Sequence, residues 1–209
     1  MKKSTVVSLN KVKIFDIIYK NRVILILSLL FAVGVILGVI TYAKSDMAQS
    51  LSKGFFESYI TKRTMGSFIS VFFSSFAFSL LITIFAFLIG GSIMGVIISP
   101  LYICTFGLSY GIVASFLYNT YSIKGIAFCS VIFIPSTIIV LIGLVFAGRH
   151  SVNFSLTIAK LTLTNSLARN LYEDFKKYCS NYIVVTVFIL LSALVDASFS
   201  KLFLKFFEF

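Results

Sequence analysis

The sequence predicts an all-α fold: a polytopic membrane helical bundle with about five transmembrane helices. The chain has 209 residues, of which 59% are hydrophobic and only 12% are charged, and its apolar runs exceed what a soluble domain of this size could bury. The longest run covers residues 90–148, in which Lys124 is the only charged residue. This length suits a hairpin of two crossings, because each crossing needs about 20 apolar residues. We therefore interpret residues 1–209 as a single integral membrane domain.

The amino-terminal part begins with a basic segment and a first crossing. Residues 1–22 carry several lysines against Asp16 alone, which favours a cytoplasmic flank that fixes orientation over a short helix lying on the membrane. The first crossing is predicted at 23–43. Its apolar core is longer than that of a signal peptide, so we expect it to stay as an anchor.

Two polar regions are predicted to form amphipathic helices at the interface. In residues 44–66, four apolar positions recur at helical spacing: Leu51, Phe55, Phe56 and Tyr59. Residues 149–181 show a similar pattern among basic residues, which indicates a surface-lying helix or a helix that docks a partner.

The other crossings are predicted at 67–89, 100–118, 123–146 and 182–200. Gly90-Gly91-Ser92 interrupts the chain before the third of the five crossings, and Ser99-Pro100 has the residue types of a helix cap and a first helical position. We interpret 90–100 as a broken or re-entrant element, of the kind found at transporter substrate sites. The alternative is one helix from Ser92 to Tyr118 with a kink at Pro100.

Three pairs of glycines have the G-x-x-x-G spacing that lets two membrane helices approach closely. They are Gly34 and Gly38, Gly91 and Gly95, and Gly107 and Gly111. Glycine faces of this kind can pack within one chain or between chains. They therefore also allow a homo-oligomer.

The hairpin has a predicted turn and a predicted bend. The turn is Asn119-Thr120-Tyr121-Ser122, followed by Lys124 and Gly125. Pro135 in the second arm cannot donate a backbone hydrogen bond and frees the carbonyl of Val131. The bend at Pro135 either presents this crossing to a partner or only sets its shape.

Few residues could carry chemistry. Asp196 is the only acidic residue inside a predicted crossing. It is either an ion or partner site or a carboxylate near the interface that pairs with Lys201 or contacts water. His150 is the only histidine, and Cys104, Cys129 and Cys179 have no paired spacing. We therefore predict no catalytic residues, no metal site and no cofactor, and the protein is not expected to be an enzyme.

The net charge of +11 is explained by the membrane. The basic residues flank apolar runs, which is typical of cytoplasmic flanks and of attraction to anionic lipid, so nucleic acid is not an expected partner. The segments 1–22 and 149–181 hold more of these residues than the opposite side. This asymmetry predicts a cytoplasmic amino terminus and an extracytoplasmic carboxyl terminus.

The order of these landmarks resembles the bacterial stage II sporulation protein M family. The landmarks are the glycine-rich end of the second crossing, Pro100, Gly107 and Gly111, Ser122-Ile123-Lys124-Gly125, and Pro135. The resemblance implies a multi-pass membrane protein without catalytic residues. In spore formers it implies a scaffold that recruits peptidoglycan-degrading partners during engulfment.

Two functions remain open at this stage. The first is a non-enzymatic scaffold in the cell membrane that docks other membrane proteins, including cell-wall hydrolases. The second is the permease subunit of a transporter that works with a separately encoded ATPase. The element at 90–100 favours transport, and the scarcity of charge inside the membrane favours the scaffold.

Overall fold

The computed structural model describes residues 22–164 and 171–206, and these ranges contain helices and turns but no strand. The α-helices are α1 (Arg22–Lys44), α2 (Asp46–Met65), α3 (Phe68–Gly90), α4 (Gly95–Phe128), α5 (Ile134–Thr164) and α6 (Leu171–Phe203). A π-helix, Cys129–Phe133, joins α4 to α5, and a short 3-10 helix, Leu204–Phe206, follows α6. The predicted all-α class is confirmed.

Four helical runs in the described ranges are long and apolar enough to cross a membrane. They are Arg22–Lys44, Phe68–Gly90, Gly95–Thr162 and Leu171–Phe203. The third run has 68 residues, enough for two crossings. It is broken at Ser122, whose φ of 49° and ψ of −123° are not helical. The break falls within the predicted turn, so the bundle has the polytopic organisation that the sequence predicts.

The two arms of this hairpin run antiparallel. The rings of Tyr110 and Phe133 have centroids 6.0 Å apart, and a Cβ added at Gly148 would meet the side chain of Ile103. Near the turn, a Cβ added at Gly125 would overlap the backbone oxygen of Leu117. Glycine is therefore required at position 125 for the arms to meet so closely.

Helix α1 packs along the first arm through glycines. A Cβ at Gly34 would overlap the backbone oxygen of Cys104 in α4, and one at Gly38 would overlap that of Leu108. The relationship is reciprocal, since Cβ atoms at Gly107 and Gly111 would overlap the backbone of α1. These two glycine pairs thus face each other inside the chain, as expected where backbones come into contact.

The chain is broken within 90–100, as predicted, but this segment is not re-entrant. Helix α3 ends at Gly90, residues 91–94 form a turn, and α4 begins at Gly95 and continues through Pro100. The alternative of a helix that contains Pro100 is therefore the better description, and Met94 rather than Ser99 precedes the helix. Gly90, the last residue of α3, is required for space, because a Cβ there would overlap the hydroxyl groups of Tyr178 and Ser151.

The prediction of one amphipathic segment over 149–181 also needs correction. Residues 149–164 continue α5 without a break, and residues 171–181 form the beginning of α6. The two parts contact each other, since the rings of Phe154 and Tyr178 stack with centroids 4.6 Å apart. The segment 44–66, in contrast, contains a separate helix, α2, as predicted.

The bundle has two distinct ends. At one end α2 and the hairpin turn surround a buried aromatic cluster that contains Phe56, Phe116 and Phe128; we call this the α2 end. At the other end the last carbonyls of α3 accept hydrogen bonds from other helices: Tyr178 donates to Phe87, and Ser155 donates to Gly90. These bonds satisfy carbonyl groups that the end of a helix leaves open.

Candidate functional site

The main feature of the bundle is a cavity of about 800 Å³ beneath α2. Its volume lies within the range of small-molecule pockets, roughly 300–1,000 Å³. Side chains from α2, α3, α4, α5 and α6 form its wall. The wall is mainly apolar but has many hydroxyl groups, including those of Ser74, Ser75, Ser79, Thr105, Ser109 and Thr137.

A buried ion pair closes one side of the cavity. The guanidinium of Arg63 in α2 contacts the carboxylate of Asp196 in α6, and the two side chains are only 7% and 9% exposed. Ser75 of α3 donates to Asp196 and also accepts from Arg63, while Arg63 Nε donates to Ser200 over 3.2 Å. A buried pair is tolerated when further hydrogen bonds satisfy both partners, as they do here.

Tyr59 completes this cluster. Its ring lies under the guanidinium of Arg63, 3.3 Å from the guanidinium carbon to the ring centroid, and its hydroxyl donates to Asp196 over 3.1 Å. Burial, together with the negative charge of Asp196, raises the pKa of Tyr59 above its usual range. Tyr59 therefore stays protonated and acts as a donor to the carboxylate.

Arg63 points inward because of the rotation of α2 about its own axis. Ser45 caps the helix by accepting from the backbone N–H of Ala48, and the buried positions then follow a helical stripe: Ala48, Ser52, Phe56 and Arg63. Phe56 anchors this stripe in the aromatic cluster. Of the predicted apolar positions, Phe56 is buried, whereas Leu51 and Phe55 are 63% and 46% exposed and line the cavity.

Lys201 does not pair with Asp196. Its Nζ donates to the backbone carbonyls of Arg63 and Gly66, at the carboxyl end of α2. A cation at this position stabilises the last carbonyls of a helix. The expected pairing is therefore corrected: Asp196 pairs with Arg63, and Lys201 fixes the end of α2.

The π-helix forms another part of the cavity wall. The N–H of Ile134 donates to the carbonyl of Cys129, five residues earlier, just before Pro135, which has no N–H to donate. Ser136 and Thr137 both donate to the carbonyl of Phe133, over 3.1 Å and 2.7 Å. Phe133, Ser136 and Thr137 line the cavity, so the bend predicted at Pro135 lies directly beside it.

Other residues singled out from the sequence lie away from the cavity. Gly95 packs beneath Ser155, whereas Gly91 has only the carbonyl oxygens of its own α3 nearby, so these two glycines do not form one packing face. The neighbouring Gly90 makes the close contact, with Tyr178 and Ser151. Lys124 is exposed at the hairpin turn.

Arg63 is the residue that sequence reasoning missed. It looked like one of several interface cations, because it follows Lys62 directly and ends a polar segment. Arg63 lies seven positions after Phe56, which places both residues on one helix face. This spacing was the signal that Arg63 is buried together with Phe56. The cavity presents an ion pair without net charge, whose partners are hydrogen-bonded, and an apolar wall rich in hydroxyl groups. The described residues contain no group of side chains that could hold a metal ion. This arrangement is suited to binding.

Comparison with known proteins gives one match. The family model for Stage II sporulation protein M matches residues 27–201, most of the chain. No curated protein and no solved structure matches. The match covers α1 nearly from its start and extends into the last turn of α6, so it includes the cavity and both ends of the bundle. The chain belongs to the stage II sporulation protein M family, which supports its assignment as a sporulation-related membrane protein.

Proposed function

We propose that this protein is a non-enzymatic membrane scaffold that docks partner proteins, among them peptidoglycan-degrading proteins, during sporulation. Membership of the family supports the sporulation setting. The observation that carries the docking role is a helical arm that extends beyond the bundle at the end opposite α2.

The arm is defined by the level at which the bundle ends. Ser155 and Tyr178 bond to the last carbonyls of α3, so they mark the level of the α3–α4 turn. Residues 156–164 of α5 and 171–177 of α6 continue past that level, and we call them the distal arm. At 1.5 Å per residue, the α5 part extends by about 13 Å.

The distal arm exposes apolar and charged side chains together. Leu171, Tyr172 and Phe175 of α6 are exposed, Tyr172 by 74%, and Lys176 and Lys177 beside them are also exposed. Apolar side chains at successive helical positions are what a partner groove takes up, and tyrosine is among the residues that contribute most to interfaces. This surface supports docking of a protein segment.

The glycine faces offer less to a partner, because α1 and α4 use Gly34, Gly38, Gly107 and Gly111 against each other. The distal arm contains part of 149–181, on the side predicted to be cytoplasmic. It would reach the cytoplasmic or membrane-embedded segment of an anchored partner, whose wall-degrading domain works on the opposite side. A transport function was favoured by the predicted re-entrant element at 90–100. Residues 91–94 instead form a turn between two helices, so this support is lost.

The test is recovery of the partner with the tagged full-length protein from its own cells during spore formation. The arm variant combines Tyr172→Ser with Phe175→Ser, and the matched control combines Met65→Ser with Ile123→Ser, both highly exposed at the α2 end. We expect all three proteins at equal abundance in the membrane, with a peptidoglycan-degrading protein recovered by the parent and the control only. Equal recovery by the arm variant would remove the distal arm from the proposal.

A further inference from the structure

We propose that the cavity beneath α2 binds one anionic phospholipid from the leaflet at the α2 end, with its acyl chains between α3 and α4 and its phosphate at Lys62. This inference goes beyond the proposed function and does not depend on it. It follows from the position of the cavity mouth, the depth of the cavity and the charge at its rim.

The mouth opens sideways, towards lipid. The lining residues Ser74 and Phe78 of α3 and Thr105 and Ser109 of α4 are exposed, whereas Asp196, on the opposite wall, is buried. The gap therefore lies between α3 and α4, with α2 above it. A ligand that is dissolved in the bilayer can enter along this path.

The depth fits a single leaflet. Tyr102 closes the floor, because its hydroxyl donates to the carbonyl of Ile82 over 3.3 Å and so links α4 to α3. The lining of α4 extends from Tyr102 to Val113, about 16 Å at 1.5 Å per residue. One leaflet contributes about 15 Å of hydrocarbon. A transmembrane helix of a partner needs about 20 residues, so it would extend well beyond this floor.

The rim supplies one cation without a compensating anion. Arg63 is paired with Asp196, and Lys201 is bonded to backbone carbonyls. Among the described residues that line the cavity, Lys62 is the cation that no carboxylate neutralises. Ser58 lies one turn before Lys62 on the same face and also lines the cavity. An ammonium with a hydroxyl beside it, on an interfacial helix, suits a lipid phosphate.

The chain contains no tryptophan, so a single introduced indole reports on its own surroundings. Phe78→Trp places the reporter at the cavity mouth, and Phe73→Trp places a control on the outer part of α3. The two phenylalanines are equally exposed, at 60%, but only Phe78 lines the cavity. The purified protein is reconstituted into phosphatidylcholine vesicles that contain a small fraction of brominated phosphatidylglycerol or, in a second set, the same fraction of brominated phosphatidylcholine.

We expect brominated phosphatidylglycerol to quench Phe78→Trp more strongly than brominated phosphatidylcholine does, and the two lipids to quench Phe73→Trp equally. Adding Lys62→Gln should reduce the preference about fivefold, since a lysine near the surface contributes about 1 kcal/mol to the binding of anionic lipid. Lys62→Arg should keep the preference. Native mass spectrometry of the unsubstituted protein with both lipids provides the same comparison without a reporter.

Two results would overturn the proposal. Equal quenching of Phe78→Trp by the two lipids would mean that the cavity does not select an anionic lipid. A segment of a partner protein would then be the better candidate for its occupant. A preference that survives Lys62→Gln would mean that the phosphate does not bind at Lys62. Because the assay contains no partner protein, neither result bears on the docking role of the distal arm.

Discussion

The guanidinium of Arg63 forms a buried ion pair with the carboxylate of Asp196, although the two residues are 133 positions apart in the chain. The pair joins α2, which is too polar to cross a membrane by itself, to the last membrane helix. Lys201 reinforces the same junction through the carbonyls of Arg63 and Gly66. These contacts hold α2 over the cavity.

The first prediction concerns this pair. Arg63→Gln or Asp196→Asn alone should destabilise the protein by about 3–5 kcal/mol, because each leaves a buried charge without its partner. The double variant should be more stable than the sum of the two losses predicts. Thermal unfolding of the detergent-solubilised protein measures all three, with Glu57→Gln, an exposed carboxylate on α2, as the control. Single variants that unfold at the temperature of the parent would show that the pair is open to water.

The second prediction concerns the glycine contact between α1 and α4. Gly38→Ala and Gly111→Ala should already destabilise the protein by about 1–3 kcal/mol, because the new Cβ would overlap backbone atoms that cannot rotate away. Leucine at either position should be worse. Gly54, which has open space around it on α2, provides the contrast, since Gly54→Ala should stabilise the helix by about 0.5–1 kcal/mol. Tolerance of leucine at Gly38 or Gly111 would contradict the close contact.

The third prediction concerns Pro135. Pro135→Ala restores a backbone donor and should let the π-helix before it relax to an α-helix, which would rotate the preceding residues by about 100°. Cys129 is buried beside the hydroxyl of Tyr110 and should then react faster with a membrane-permeant maleimide. The other two cysteines are first replaced by serine. Pro100→Ala, in α4, is the control, and labelling of Cys129 at the same rate in all three proteins would argue against the relaxation.

The fourth prediction concerns orientation. The excess of lysine and arginine predicts that the distal arm is cytoplasmic and that α2 is outside. In a cysteine-free background, Ser50→Cys on α2 should react with an impermeant maleimide in intact cells. Tyr172→Cys on the distal arm should react only after lysis. The reverse pattern would invert the assignment, and with it the leaflet that faces the cavity.

The local features of this protein follow from its sequence. Hydropathy alone sets the membrane helices, because the length of an apolar run decides whether it can cross the bilayer. Residue spacing and residue size likewise predict the turn near Ser122 and the separate α2. They also predict the tight packing of Gly34, Gly38, Gly107 and Gly111. Residues 1–21 of the basic segment 1–22 lie outside the described residues, and the predicted role of this segment as a flank stays a prediction.

Tertiary structure decided the relationships between distant segments. Asp196 was recognisable as an intramembrane acid, but its partner depended on how α2 rotates about its own axis, and the burial of Phe56 rather than Leu51 or Phe55 decides that rotation. Whether Gly91 or Gly90 makes the close contact depended likewise on where α6 brings Tyr178. The cavity has no local signature at all, since its hydroxyl groups come from several helices and each looks ordinary in its own helix. Contacts between side chains of different helices depend on how the helices pack, and the residue pattern within one helix does not determine that packing.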